Sequence, residues 1–155
     1  MLKDFVKWAE ENKWDIILNP EKVDLPEEIK NRYNIPKQWY DFISMFKKCE
    51  NQSATKCFLT PYDYLPHEED YKGFRWNEFE ILSLEWNDND SSIISYWDCH
   101  LPIVLSVDGE YSYYAINTVN GNIVEGYEPE FEDSSVVADD FNTFIRKIIS
   151  NDILI

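Results

Sequence analysis

The sequence predicts an α+β domain, and three observations carry that prediction. Apolar residues recur at helical spacing through the front of the chain and again at its C-terminal end. Between them lie β-branched and tyrosine-rich stretches punctuated by Asp108-Gly109 and Asn120-Gly121, dipeptides that favour the positive φ angles of tight hairpins. The composition, 44% hydrophobic and 16% aromatic over 155 residues, supplies one core of ordinary domain size despite a mean hydropathy of -0.49. There is no internal repeat, low-complexity tract or Gly/Ser linker, so residues 1–155 read as a single domain.

Leu2, Phe5, Val6 and Ala9 alternate with Lys3, Lys7, Glu10 and Glu11, predicting an amphipathic helix over residues 2–13, and Asn19-Pro20 signals a turn. Pro26, Glu27 and Glu28 suit a first helical turn, where proline loses no hydrogen bond and carboxylates meet the positive helix end; this short helix runs to about Tyr33. Ile35-Pro36 opens another, with Trp39, Tyr40, Phe42, Ile43 and Phe46 as its apolar face and Lys47-Lys48 at its negative end. Residues 56–60 fit a strand bounded by Pro61, followed by a loop with Tyr62, Tyr64 and Tyr71. Trp76, Phe79, Leu82 or Ser83, and Trp86 return to helical period, ending near 87–89, and a helical turn spans 92–97. Residues 101–107, 110–117 and 122–126 then form an antiparallel meander about the two hairpin dipeptides. After an acidic loop, Phe141, Phe144, Ile145, Ile148 and Ile149 give a closing helix. The expected order is helices first, sheet last, one terminal helix packed back.

Charge is distributed unevenly. Thirty acids against fourteen Lys and Arg give -16, yet residues 1–60 are balanced at ten of each, and the whole excess lies in 61–155. Between Arg75 and Arg146 there are fifteen acids and no Lys or Arg. Such a field opposes binding to phosphate backbones and anionic membranes, so neither nucleic acid nor membrane is the expected partner; a basic protein is. An 18.5 kDa globule exposes about 8,200 Å², and the twenty acids of residues 61–155 spread over half of it put about four in a contact patch of roughly 800 Å². About 30 Å of duplex DNA presents on the order of eighteen charges, so the field steers a basic partner without imitating DNA. No run of about eighteen apolar residues exists and the opening residues 1–14 are charged throughout, so a cytoplasmic location is expected.

The chemistry-bearing residues do not assemble into a catalytic pattern. Cys49, Cys57 and Cys99 are an odd number without metal-ligand spacing and read as reduced thiols. His67-Glu68-Glu69-Asp70 lacks the second histidine of a zinc-binding helix and reads as a charged loop. His100 reads as a structural or surface histidine, because a thiol and an imidazole at adjacent positions point to different faces. Glycines 73, 109, 121 and 126 all sit in turn contexts and form no phosphate loop. No catalytic residue, metal or cofactor is expected, and an interaction domain is the preferred reading.

Several segments together resemble the SUKH superfamily of Smi/Knr-like proteins. They are Ile35-Pro36-Lys37-Gln38-Trp39-Tyr40-Asp41-Phe42-Ile43, then Leu101-Pro102-Ile103, Tyr111-Ser112-Tyr113-Tyr114-Ala115-Ile116, Gly121-Asn122-Ile123-Val124, and the run from Val137 to Ile145. Glu128-Pro129-Glu130-Phe131-Glu132 is similar to an acidic loop of a bacterial subgroup. The resemblance covers about residues 24–149, and its order is more specific than any one motif; where family members often carry Gly-Gly, this chain has Lys47-Lys48. It implies an α+β domain without catalytic residues, used in bacteria as an immunity protein that neutralises a cognate toxin, often a nuclease. Fungal relatives are regulators of cell-wall synthesis.

The expected contact surface is the meander face with the loop Glu125, Tyr127, Glu128, Glu130, Phe131, Glu132 and Asp133, in which Tyr127 and Phe131 are either exposed anchors or packed beneath the loop. Two other readings stand beside it: a cytosolic scaffold or regulator like the fungal relatives, and a small-ligand pocket lined by Trp and Tyr.

Overall fold

Gly109 and Gly121 adopt φ of 81° and 86°, the left-handed turns that the two hairpin dipeptides predict. A computed structural model describes residues 1–19, 21, 23–67 and 73–155. Pro20, Glu68, Glu69, Asp70 and Tyr71, on which parts of the expected turn and loops fall, lie outside the described residues.

The chain forms, in order, α1 (Leu2–Glu11), β1 (Trp14–Leu18), α2 (Glu27–Arg32), α3 (Lys37–Ile43), β2 (Phe46–Asn51), β3 (Lys56–Phe58), α4 (Glu78–Trp86), α5 (Ser91–Trp97), β4 (His100–Ser106), β5 (Ser112–Asn117), β6 (Ile123–Tyr127), β7 (Ser135–Ala138) and α6 (Phe141–Ile149). The α+β class, the C-terminal meander and the closing helix are as expected. The meander extends further than its sequence signals: all seven strands lie side by side in chain order, each antiparallel to the next, and β1, β2 and β3 come from the front of the chain.

Helices cover both faces of the sheet. Tyr113 and Tyr114 are successive residues of β5 and therefore point to opposite sides. Tyr114 packs on Phe144 of α6 at 5.0 Å, and the same side receives Phe5 of α1 against Phe58 at 5.2 Å and Phe42 of α3 against Phe141 at 5.3 Å. Tyr113 packs on Trp97 of α5 at 5.0 Å and Phe79 of α4 at 6.1 Å. Burial on both faces accounts for the unbroken apolar run Leu101–Leu105 in β4. Among the described residues no helix is long and apolar enough to cross a membrane.

One expected helix is corrected. The helix from Pro36 ends at Ile43, and Phe46, Lys47 and Lys48 belong to β2. Leu18 pairs with Phe46 and Ile17 with Lys48, leaving Lys47 as the extra residue of a bulge. The bulge breaks the two-residue alternation, so Phe46 and Cys49 are both buried at a spacing of three, which in sequence looks helical. The strands β1 and β7 were not predicted, because they are short sheet edges with too little burial to impose an apolar pattern.

Candidate protein-binding surface

The segment expected to form the contact surface is divided by strand geometry. Glu125 and Tyr127 lie two apart on β6 and share the side of Tyr114, whereas Gly126 faces Tyr113 on the other side. Burial followed by hydrogen bonding to Glu125 pushes the Tyr114 phenol up, and the same two causes push Tyr127 up to about 12. Tyr127 is 43% exposed, and with Glu125, Lys56, Ser106 and Ser112 it lines an open cleft of about 260 Å³.

Beyond Tyr127 the loop crosses to the side of α4 and α5, where its acids take different roles. Glu128 and Tyr111 close a ring: the Glu128 N–H donates to the Tyr111 carbonyl, and the Tyr111 N–H donates to Glu128 Oε1, both at 2.9 Å. Trp97 Nε1 donates to Glu132 Oε1 at 2.6 Å, so this carboxylate secures the loop to α5. Tyr96 and Tyr113 share a hydroxyl contact of 2.7 Å, and Tyr96 donates to Ser134 Oγ at 2.7 Å. Glu130 and Asp133 face solvent and are joined only by a backbone turn.

Of the two readings left open for Phe131, the structure takes the packed one. Phe131 is 0% exposed and packs beneath the loop, stacked on Phe79 at 4.6 Å and 10°. Its second stacking partner, Trp86 at 5.9 Å and 15°, is 50% exposed. That stack brings the C-terminal end of α4, with exposed Glu85 and Asp88, to the loop carrying Glu130 and Asp133. The sequence put Trp86 in the helical period of α4, and periodicity does not register that the helix ends there and leaves the residue 50% exposed.

The front of the chain neutralises part of the acidic half. Arg32 of α2 reaches Glu80 with two bonds of 2.9 and 2.6 Å and also meets Asp98 at 3.0 Å. Among the described residues, Glu80 and Asp98 are the acids between Arg75 and Arg146 that take part in an ion pair. Glu80 is 7% exposed and thus contributes little to the external field, while Glu85, Asp88, Glu130 and Asp133 contribute to it directly.

Two further places bear on catalysis or ligand binding. A cleft of about 360 Å³ beside β2 and β3 is lined by Cys57, Asp63, His67, Leu105 and Phe74, among others. Burial, and then the nearby charge of Asp63, pushes the Cys57 thiol up to about 12, so it is protonated at neutral pH and a poor nucleophile. His100 is held within the fold: its ring stacks on Tyr96 at 4.0 Å, Nδ1–H donates to the Tyr96 carbonyl at 2.7 Å, and Nε2 accepts from Asn117 Nδ2 at 3.1 Å. Among the described residues no three His, Cys, Asp or Glu side chains gather as a metal site. No family model, curated protein or solved structure matches the chain.

Proposed function

We propose that this chain is a protein-binding domain of the SUKH immunity type, which neutralises a basic toxin domain by covering it with its acidic back half. The observation that carries the reading is the ordered, uncompensated acidic surface at the α4 end and the loop after β6. Glu130 and Asp133 stand exposed on a loop fastened from below by Glu128, Phe131 and Glu132, and Glu85 and Asp88 stand beside the Trp86 that stacks on it. Many nuclease domains are basic because they hold a phosphate backbone, so charge complementarity favours such a toxin as the partner. Preordering of the loop lowers the conformational cost of association.

Co-expression with a toxic domain encoded beside this chain is the test. Rescue of growth and a complex that weakens with salt support the reading; failure to rescue, or no complex at low salt, overturns it. Replacing Glu130 and Asp133 by Lys should slow association more than it speeds dissociation, because rim charges act mainly on encounter. Glu132 is unsuited to that experiment, since its carboxylate also holds Trp97.

A further inference from the structure

Trp86 is half exposed, although its indole stacks on Phe131. At 5.9 Å and 15° the two rings overlap at an offset, so Phe131 covers only part of the indole and half of the residue's surface stays open. A ring in this position is usually either buried by its own fold or left loose; here the Phe79–Phe131 stack, with Phe79 1% and Phe131 0% exposed, fixes its plane from beneath. The Phe131 carbonyl is itself held by the Tyr113 hydroxyl at 2.5 Å. The ring is thus preordered without being consumed by the core.

The surroundings of the ring select the chemistry of what can lie on it. Glu85 precedes it on α4, Asp88 follows it, and Glu130 and Asp133 belong to the loop of the Phe131 on which it stacks; all four are exposed. An apolar partner side chain would desolvate these carboxylates without compensation. A cation is attracted both by the indole face and by the carboxylates. A guanidinium fits better than an ammonium, because its plane lies flat on the indole while its fork of N–H donors reaches carboxylates at the edge. Among the described residues the cation placed over an aromatic ring is Arg32, 5.1 Å from the Tyr33 centroid, so no described cation lies on Trp86.

We infer that the exposed surface of Trp86 is the seat of an arginine side chain of the basic partner, with the carboxylates of the α4 end and the loop after β6 as its counter-charges. The inference rests on the acidic half being the contact face and names the anchor within it.

The test uses hepta-arginine and hepta-lysine peptides as probes, with binding followed at low salt by calorimetry and by the Trp86 indole N–H resonance. Hepta-arginine should bind about two- to fivefold more tightly than hepta-lysine, the range of an exposed cation–aromatic contact. Trp86→Leu should bring both peptides to one weaker affinity, and Trp86→Phe should keep part of the arginine preference; thermal melts of both variants establish that they remain folded. Glu130→Gln with Asp133→Asn should weaken both peptides alike. Equal binding of the two peptides, or an arginine preference that survives Trp86→Leu, overturns the anchor and leaves the acidic contact face standing. Binding of neither peptide at low salt overturns the contact face itself.

Discussion

The Tyr113 hydroxyl donates a 2.5 Å hydrogen bond to the Phe131 carbonyl, fastening the acidic loop to the middle of the sheet. Tyr113 is 1% exposed, so the bond is made out of water's reach. Tyr113→Phe leaves a buried carbonyl without this partner and should cost about 1–3 kcal/mol. Chemical denaturation measures the loss, and limited proteolysis should show earlier cutting within 128–134 than in the parent. A loop equally resistant in both proteins would show that the bond does not order it.

Gly126 sits beneath the same contact. A Cβ built there falls 2.6 Å from the Phe131 carbonyl oxygen and equally close to the Tyr113 ring and hydroxyl. Gly126→Ala should therefore destabilise by about 1–3 kcal/mol through overpacking. Because one of the clashing atoms is the Tyr113 hydroxyl, the double variant with Tyr113→Phe should lose less than the sum of the two single losses. Strict additivity would place the strain elsewhere.

Arg32 and Glu80 join α2 to α4 by a two-bond fork, and Glu80 is 7% exposed. Removing the cation strands a buried carboxylate. Arg32→Ala should cost about 3 kcal/mol, the lower end for breaking a buried pair, because the arginine end remains in touch with solvent. Arg32→Lys should recover only part of this, since an ammonium cannot make the fork. Full recovery by lysine in a urea titration would mean that charge alone, and not geometry, is what Glu80 requires.

His100 gives the fold a pH dependence. Burial lowers its pKa below the ordinary 6.5, and the bond to the Tyr96 carbonyl offsets this only in part. The unfolded chain therefore binds more protons than the fold between that lowered value and 6.5. The stability it contributes is complete above 6.5 and is lost as pH falls through the folded value. Urea midpoints measured from about pH 7 down to about pH 5 should fall more steeply for the parent than for His100→Asn. Parallel slopes would remove the imidazole as the cause.

The sequence alone determined the α+β class, the two hairpins, the closing helix and the position of the charge, because each is a local property. Hairpin dipeptides demand positive φ within one turn, and amphipathic spacing repeats within one helix, so Asp108-Gly109, Asn120-Gly121 and Phe141–Ile149 were legible. The segment 125–133 was also legible as acidic and aromatic, but not the division of labour within it. Only the tertiary structure decided that Phe131 is buried, that Glu128 and Glu132 hold the loop, that Arg32 answers Glu80 and Asp98, and that Trp86 stands half exposed against Phe131 of the acidic loop. Each of these depends on groups far apart in the chain meeting across the sheet, and β1, β7 and the Lys47 bulge escaped notice for the same reason. A strand at an edge and a side chain at a helix end are defined by what packs against them, and pattern along a chain carries no record of that neighbour.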